Sequence, residues 1–377
     1  MDLSNLGNEL IKGLANFEPG NAVMIFIGCL LIYLAISKRY EPVLLLPIGL
    51  GCILANIPLS GMMVTDEDGF FYILYHAGIL TELFPLLIFI GVGAMIDFSP
   101  LLSQPKMVLL GAAGQFGIFG TLILATLLGF PLNQAASIGV IGAIDGPTSI
   151  FVATKLAPEL LAPIAVAAYS YMSLIPIIQV PIMRLLTTKE ERLIRMDYAP
   201  KPVSRRALII FPIAITLVAG LLVPASVPLV SMLMLGNLLR ESGVVDRLRK
   251  GAENEIINVS TLFLGLTVGA TMTARSFLNW ETLGIMALGL IAFILDTVVG
   301  LLFGKLMMVL SGRKINPLIG AAGISAFPMA GRLAAQVAQE EDFENFILMH
   351  AMGANTAGQL GSVMAGGVLL ALVTGLM

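Results

Sequence analysis

Long apolar runs separated by short polar stretches occupy most of this chain. A helix needs about 20 apolar residues to cross the hydrocarbon core of a bilayer. Runs of roughly that length cover residues 21–37, 42–60, 83–97, 107–129, 160–183, 207–224, 226–240, 256–273, 282–311 and 345–375. The pattern therefore predicts an all-α polytopic membrane protein.

Two further apolar segments are interrupted by glycine and proline. In residues 133–156 the interruptions surround Asp145, and in residues 316–336 they include Pro317 and Gly320. Irregular backbone at membrane depth occurs only where it is buried in protein or lines a cavity. We therefore predict that both segments are broken or re-entrant helices.

The basic residues predict the orientation of the spans, because loops rich in lysine and arginine stay in the cytoplasm. Residues 184–206 and 240–255 contain the densest basic clusters, and we predict that both are cytoplasmic. The two interrupted segments then enter the membrane from opposite faces. Acidic residues at 340–344 also fall inside, although acidic residues have little influence on orientation.

Two similar units of opposite polarity form an inverted repeat, and in such transporters the site lies near the midplane where paired segments are interrupted. Val92-Gly93-Ala94 of the first unit is echoed by Val268-Gly269-Ala270 of the second. The predicted divisions are an N-terminal part with an outer loop (1–82), a first repeat unit (83–183), basic loops with a helical hairpin (184–255) and a second repeat unit (256–377).

Composition excludes most soluble classes of protein. The chain of 377 residues is 57% hydrophobic and 12% charged, whereas soluble domains carry about 25% charged residues. Its formal net charge of −3 gives no attraction to nucleic acid. Two histidines and two cysteines are too few to suggest a metal cage.

Charged side chains inside apolar segments are candidate functional residues, because each costs about 2.5–3.5 kcal/mol at the bilayer centre on insertion scales. Asp145 is the strongest, either as a carboxylate for a proton or small hard cation, or as a structural cap for loose backbone amides. Asn316, Gly320 and Ser325 of the second unit add neutral oxygens and close backbone approach. Oxygen donors of this kind suit a hard cation such as Na⁺.

For other polar residues at membrane depth, the sequence supports a functional role less strongly. Arg332 keeps its proton, so it needs an anion, either Asp145 or a substrate carboxylate, unless it reaches the cytoplasmic edge. Tyr171, close to Tyr169, can relay a proton through its hydroxyl or simply pack in the core. Asn355 holds a corresponding place in the second unit. A further buried acid, Asp296, is interpreted first as a hydrogen-bond partner within its span.

Several motifs are absent from the sequence. It contains no phosphate-binding G-x-x-x-x-G-K-[ST] loop and no G-x-S-x-G nucleophile elbow. It also lacks Met-Lys-Met, the motif that carries a biotinyl lysine. If biotin is used, another chain must carry it.

The motifs together resemble the β subunits of sodium-translocating, biotin-dependent decarboxylases over nearly the whole chain. The resemblance is carried by residues 142–148 (GAIDGPT), 168–173 (AYSYMS), 316–326 (NPLIGAAGISA), Arg332 and residues 352–359 (MGANTAGQ). It implies an inverted-repeat membrane subunit that decarboxylates carboxybiotin, consumes one proton and exports Na⁺. The implied Na⁺ ligands are Asp145, Asn316 and Ser325.

The resemblance also implies roles for single residues. The cation path is formed by Asp145, Asn316, Gly320 and Ser325, to which we add Asn355 from its position. The catalytic candidates are Tyr171 for the proton, Arg332 for the carboxyl group or the ion path, and Asp145.

The implied partners are a biotin-carrier subunit, a carboxyltransferase α subunit and a small membrane subunit, around a trimeric core in the cytoplasmic membrane of a prokaryote. The acid that is decarboxylated is chosen by another subunit. A secondary Na⁺-coupled carboxylate transporter or antiporter is the alternative, because fold alone does not decide function. A structural membrane anchor is disfavoured, since an anchor has no use for Asp145, Asn316 and Arg332 at membrane depth.

Overall fold

The computed structural model describes residues 12–39, 41–62, 64–65, 69–196 and 202–376, and these residues form helices and connecting turns without a β-strand. The acidic residues Asp66, Glu67 and Asp68 of the predicted outer loop, and Lys201 of the basic loop, lie outside the described residues. The α-helices are α1 (Pro19–Ser37), α2 (Pro42–Ala55), α3 (Phe70–Leu74), α4 (Leu83–Met95), α5 (Ser99–Ser103), α6 (Val108–Ala113), α7 (Phe116–Leu127), α8 (Leu132–Gly139), α9 (Gly146–Leu156), α10 (Leu161–Leu186), α11 (Lys189–Arg192), α12 (Arg205–Leu222), α13 (Val227–Ser242), α14 (Asp246–Gly251), α15 (Ile257–Ala270), α16 (Ala274–Phe277), α17 (Trp280–Leu310), α18 (Met329–Glu341) and α19 (Leu348–Leu376).

The helices confirm the all-α polytopic fold. Among the described residues, five helical stretches are long and apolar enough to span a membrane, and the number rises to seven if two bent pairs each count as one span. The bends are 60° between Phe70–Ile79 and α4, and 59° within α10. The predicted span 42–60 is shorter than expected, because α2 ends at Ala55 and the Asn56 amide donates to the Cys52 carbonyl at 2.8 Å.

The corresponding helices α4 and α15 run antiparallel, as an inverted repeat requires. The rings of Phe84 and Phe263 have centroids 6.3 Å apart. Seven residues later along α4, Gly91 packs on the carbonyl of Ala252, which precedes α15. Advancing along one helix therefore means moving back along the other. Both helices carry the Val-Gly-Ala sequence that marked them as equivalent.

Glycines allow the two halves to pack at backbone contact. A Cβ atom would overlap a carbonyl group in four reciprocal places: Gly51 on Leu266, Gly269 on Ile48, Gly93 on Leu233, and Gly236 on Ile90. The pairs α2–α15 and α4–α13 therefore make the same reciprocal contact, and each pair joins the N-terminal half of the chain to the C-terminal half. Small residues at such crossings are typical of membrane helices, where close packing replaces the hydrophobic effect as the force between helices.

The two interrupted segments meet inside the molecule. In the first, a 3₁₀ turn (Val140–Ala143) follows α8, Ile144 adopts a left-handed conformation (φ 52°), and α9 begins directly after Asp145. In the second, a 3₁₀ turn (Pro317–Gly323) leads to extended backbone before α18. The Ser325 hydroxyl donates to the Ala143 carbonyl, so the second break satisfies a free backbone group of the first.

Ion pairs explain why the acidic stretch after α18 lies beside the basic loop. Arg184 pairs with Glu340 at 2.7 Å, Arg192 with Glu341 at 2.6 Å and Arg195 with Asp342 at 2.7 Å. The hydrogen bond from Arg195 holds the pKa of Asp342 below its ordinary value, so this pair is ionised at neutral pH. The acids that ran against the predicted orientation are thus partners of the basic loop.

The backbone contacts predict a specific sensitivity in α13. Gly236→Ala forces a methyl group onto the Ile90 carbonyl and is expected to cost about 1–3 kcal/mol. The matched control is Gly284→Ala in α17, where no heavy atom lies within 4 Å of an added Cβ. Thermal unfolding of the purified protein in detergent should show a lower midpoint for Gly236→Ala only. Equal midpoints for the two variants would contradict this packing.

The orientation predicts which positions react with an impermeant thiol reagent. We expect Lys250→Cys (side chain 63% exposed in the wild type) to be protected and Trp280→Cys (88% exposed in the wild type) to be labelled from outside. The substitutions are made in a chain in which the exposed Cys29 is replaced by serine. Maleimide labelling of right-side-out vesicles measures the difference. Labelling of Lys250→Cys with protection of Trp280→Cys rejects the orientation.

Candidate functional site

Asp145 lies at the meeting point of the two breaks and is held by three side-chain donors. Its Oδ2 accepts hydrogen bonds of 2.8 Å each from Thr148 Oγ1, Gln359 Nε2 and Ser362 Oγ. The residue is 5% exposed. Because Thr148 belongs to the first repeat and the other two donors to α19 of the second, this carboxylate connects both halves of the molecule.

The sequence around Asp145 explains its position. Pro147 follows at the start of α9, where its fixed backbone angle and missing N–H group are tolerated. Gly146 lets the ring of Tyr169 pack directly against the backbone, where a Cβ would overlap the ring carbons. Thr148 is placed three residues on, so its hydroxyl returns to the carboxylate across the first turn.

A cavity of about 330 Å³ leads to Asp145 and is called the cation cavity below. Its polar lining residues are Glu41, Asp145, Tyr169, Glu253, Asn258, Thr261, Ser325 and Gln359, set among apolar side chains of α2, α4 and α15. Among the residues that the structure describes, no lysine, arginine or histidine lines it. Carboxylates with hydroxyl and amide groups are suited to a hard cation, and of the three carboxylates only Glu253 is paired with a basic side chain, that of Arg249 outside the lining.

Two acidic residues of the cavity lining, Glu41 and Glu253, were not identified in the sequence analysis; we call them the mouth residues because each precedes the helix that it leads into. Glu41 directly precedes α2, and Glu253 precedes α15 and accepts from Arg249 at 2.8 Å. Each lies where an apolar run begins, next to basic residues, so it resembles an ordinary membrane-edge acid. Their shared cavity depends on the crossing of α2 and α15, which neither local sequence indicates.

Ser325 and Asn355 support the second break beside Asp145. Ser325 lines the cation cavity while its hydroxyl donates to the first break. Asn355 donates from Nδ2 to the Ile324 carbonyl at 2.7 Å, and its Oδ1 accepts from the Gly331 amide at 3.4 Å. Asn355 therefore fixes the backbone on both sides of the turn that presents Ser325.

Asn316 and Gly320 lie in the second interrupted segment, away from the cavity lining. The Asn316 Oδ1 accepts from Leu318 N at 3.0 Å, and its Nδ2 donates to the carbonyls of Arg192 and Ile194 at 2.9 Å each. Gly320 packs on the backbone of Gly300 in α17. The structure thus uses Asn316 to cap the 3₁₀ turn and to hold the basic loop.

Tyr171 and Arg332 also lie outside the cavity lining. The Tyr171 hydroxyl donates to the Met286 carbonyl in α17, and its ring lies near Gly289. Arg332 is exposed on α18, and it forms no salt bridge with the residues that the structure describes. Of the predicted candidates, Asp145 and Ser325 line the same cavity, and Gln359 and Ser362 donate to the Asp145 carboxylate.

Asp296 occupies a helix crossing, as the structural interpretation predicted. It is 1% exposed and accepts from the Gly117 amide, which ties α17 to α7. A Cβ on Gly117 would overlap the carboxylate, so the pair fits only with glycine at that position. Lys305, further along α17, pairs with Glu191 at 3.0 Å.

Comparison with known proteins shows that the chain is similar to the beta subunits of Na⁺-transporting decarboxylases. Residues 20–373 match the family model described as the Na⁺-transporting oxaloacetate decarboxylase beta subunit. The chain is 53% identical to the methylmalonyl-CoA decarboxylase subunit beta of Veillonella parvula over 96% of each chain. It is 53% identical to the glutaconyl-CoA decarboxylase subunit beta of Acidaminococcus fermentans, over 97% of this chain and 96% of that protein. It is 46% identical to the oxaloacetate decarboxylase beta chain of Klebsiella pneumoniae, over 97% of this chain and 98% of that protein.

Proposed function

Because the chain belongs to the family of Na⁺-transporting decarboxylase β subunits, we propose that it decarboxylates carboxybiotin and couples this step to Na⁺ export across the cytoplasmic membrane. It is a membrane subunit of a Na⁺-pumping decarboxylase. The relatives act on different acids by name, yet all align along nearly the whole chain. We therefore assign the choice of acid to another subunit.

The observation that carries the proposal is the cation cavity ending at Asp145. Its mouth is marked by Glu41 and Glu253, which precede α2 and α15 at the ends that the basic loops place in the cytoplasm. Na⁺ leaving water loses hydration energy, and a buried carboxylate with neutral oxygens replaces that hydration. In this reading Na⁺ enters from the cytoplasm and reaches Asp145 beside Ser325.

The hydrogen-bond donors around Asp145 indicate how access to this carboxylate alternates between the two faces of the membrane. One donor to the carboxylate comes from α9, and two come from α19 in the other repeat. A displacement of one repeat against the other must alter these hydrogen bonds to Asp145. Inverted-repeat transporters expose their sites by such movements. Asn355 and Asn316 hold the second break at its two ends, and Gly320 allows that segment to lie against α17.

The chemical step requires one proton. The N–CO₂⁻ bond breaks, its electron pair stays on the ureido nitrogen, that nitrogen takes a proton and CO₂ leaves. We propose Tyr171 as the proton-handling residue. Its ring and Ile141 of the first interrupted segment both pack against Gly289, and its hydroxyl donates to the carbonyl of Met286, a residue that lines a separate cavity of about 400 Å³. Tyr171 thus lies near the start of α17, and we propose that it relays the proton toward carboxybiotin rather than donating it by direct contact.

We propose a role for Arg332 other than pairing with Asp145. It extends from the exposed face of α18, one turn after the cis peptide bond that ends the second break. We place it on the ion path, where a fixed positive charge near the second break favours release of Na⁺ from Asp145. Its exposed position also leaves it available to an anion from a partner subunit.

The proposed assembly contains a biotin-carrier subunit, a carboxyltransferase α subunit and a small membrane subunit, with this chain as a trimeric core. Biotin belongs to the carrier in this scheme, since this chain has no biotinylation motif. A secondary carboxylate transporter is not favoured, because the relatives are decarboxylase subunits. Na⁺-dependent decarboxylation of free carboxybiotin by the purified complex tests the function directly.

Asp145→Asn is expected to weaken Na⁺ binding roughly 10–100-fold, as loss of a charged partner of a buried ion costs about 1.5–3 kcal/mol. The amide keeps the size of the side chain and one acceptor oxygen. Asp97→Asn, a half-exposed acid outside the cation cavity, is the matched control. The Na⁺ concentration for half-maximal decarboxylation and ²²Na⁺ uptake by proteoliposomes measure the effect. Wild-type values for Asp145→Asn exclude this carboxylate as the site.

Tyr171→Phe removes only the hydroxyl and is expected to reduce Na⁺-dependent decarboxylation about 10²–10⁴-fold, the usual range for one general acid. Tyr169→Phe, whose ring packs on Gly146, is expected to have a milder effect. Assembly of each complex is checked by gel filtration, and a solvent isotope effect on kcat reports the proton step. If Tyr169→Phe is the more damaging variant, the proton role passes to the tyrosine that lines the cation cavity.

A further inference from the structure

A second cavity of about 710 Å³ lies at the cytoplasmic end of the molecule and is called the basic pocket below. Its lining residues are Ser103, Gln104, Pro105, Lys106, Arg195, Met196, Arg313, Lys314, Ile315 and His350. Four side chains with permanent positive charge therefore share one cavity, together with a histidine that is 3% exposed. The volume is in the range of pockets that take small organic ligands.

The charge of the basic pocket is not fully balanced by the protein. Arg195 pairs with Asp342, and Arg313 approaches Glu190 only at 4.0 Å. Among the residues that the structure describes, Lys106 and Lys314 take part in no salt bridge and no carboxylate lines the pocket. Several other basic residues at this end, in contrast, are paired with acids. The pocket therefore presents positive charge that is available to an anion.

The cation cavity has the opposite character. Among the described residues, Asp145, Glu41 and Glu253 line it without a basic side chain, and only Glu253 is paired, with Arg249. Without a bound cation it therefore repels a carboxylate by the same Coulomb interaction that favours Na⁺, and the cation and an anionic substrate are better held at separate sites. The two cavities separate them, with acidic groups in one and lysines and arginines in the other.

We propose that the basic pocket binds the carboxylate of carboxybiotin through Lys106 and Lys314. The inference rests on the proposed function, because that function supplies the anion. Ser103 and Gln104 offer hydrogen bonds, and Met196 and Ile315 offer apolar contact for a ring system. The pocket lies beside the basic loop, which we predict to face the cytoplasm, the side from which a soluble carrier would reach it.

The pocket borders both segments that support Asp145. Ile315 leads directly into Asn316 and the second interrupted segment. His350 stands near the start of α19, which carries Asn355 to the second break and Gln359 to Asp145. A ligand in the basic pocket thus touches the two elements that hold the second break. This arrangement gives a physical route by which arrival or loss of the carboxylate alters the Na⁺ site.

Lysines that hold a carboxylate stabilise the bound substrate more than the transition state, in which CO₂ loses that charge. Lys106→Gln and Lys314→Gln should therefore act mainly on KM. For the methyl ester of N-carboxybiotin we expect KM to rise about tenfold for each variant, with kcat unchanged or higher. Lys189→Gln removes a lysine charge outside the basic pocket and should leave KM unchanged.

Protection from acetylation provides a readout that does not depend on turnover. In the complete complex carrying Asp145→Asn, freshly prepared N-carboxybiotin methyl ester should protect Lys106 and Lys314 from acetic anhydride, measured by peptide mass spectrometry. Biotin methyl ester lacks the carboxylate and should protect neither lysine. Lys189 serves as the internal reference for reagent concentration.

The outcomes distinguish this proposal from the proposed function. If the wild-type complex fails to decarboxylate carboxybiotin in a Na⁺-dependent manner, the function is wrong. If it succeeds while both lysine variants keep the wild-type KM and neither lysine is protected, the basic pocket is not the carboxylate site. If only turnover with the biotinylated carrier falls, the lysines bind the carrier surface and the proposal is likewise overturned. In the Lys106→Gln, Lys314→Gln and Lys189→Gln variants, which keep Asp145, ²²Na⁺ binding should remain at the wild-type level.

Discussion

The hydrogen bonds to the buried Asp145 carboxylate are the interactions on which the central architecture depends. A carboxylate at membrane depth is tolerable only with donors or a cation, and three donors converge on one of its oxygens. Two of these donors come from the opposite repeat, so the carboxylate constrains how the halves dock. The Ser325 hydroxyl supplies a second link by binding the backbone of the first break. The site is thus assembled by the same contacts that join the repeats.

Backbone packing makes this convergence possible. Glycines at the crossings of α2 with α15 and of α4 with α13 let carbonyl groups approach another helix directly. The same contacts place the ends of α2, α4 and α15 around one cavity, with Asp145 at its inner end. In a membrane, where apolar surface gains little from leaving lipid, such close contacts supply much of the force between helices. The same glycines therefore allow both the helix packing and the formation of the site.

Charge is divided between the two cavities. Carboxylates line the cavity that contains Asp145, and lysines and arginines line the basic pocket beside the basic loop. The second interrupted segment begins beside the basic pocket and reaches its turn beside Asp145. Ion binding and anion binding can consequently influence each other through one short piece of backbone. Ion pairs between the basic loop and the end of α18 fix the base of that segment.

The lengths of the apolar runs and the positions of glycine and proline predicted the helical membrane fold and the two interruptions, and the basic loops added the inverted relation of the repeats. They did so because run length and backbone-breaking residues are local properties of a chain. The importance of Asp145 could be predicted, since an acid inside an apolar run requires a partner. The division into four parts and the roles of Tyr171, Arg332, Asn316 and Asn355 stay predictions. Only the tertiary structure decided which oxygens gather around Asp145. Gln359, Ser362, Glu41 and Glu253 come from distant segments, and their meeting depends on helix crossings that local sequence does not encode.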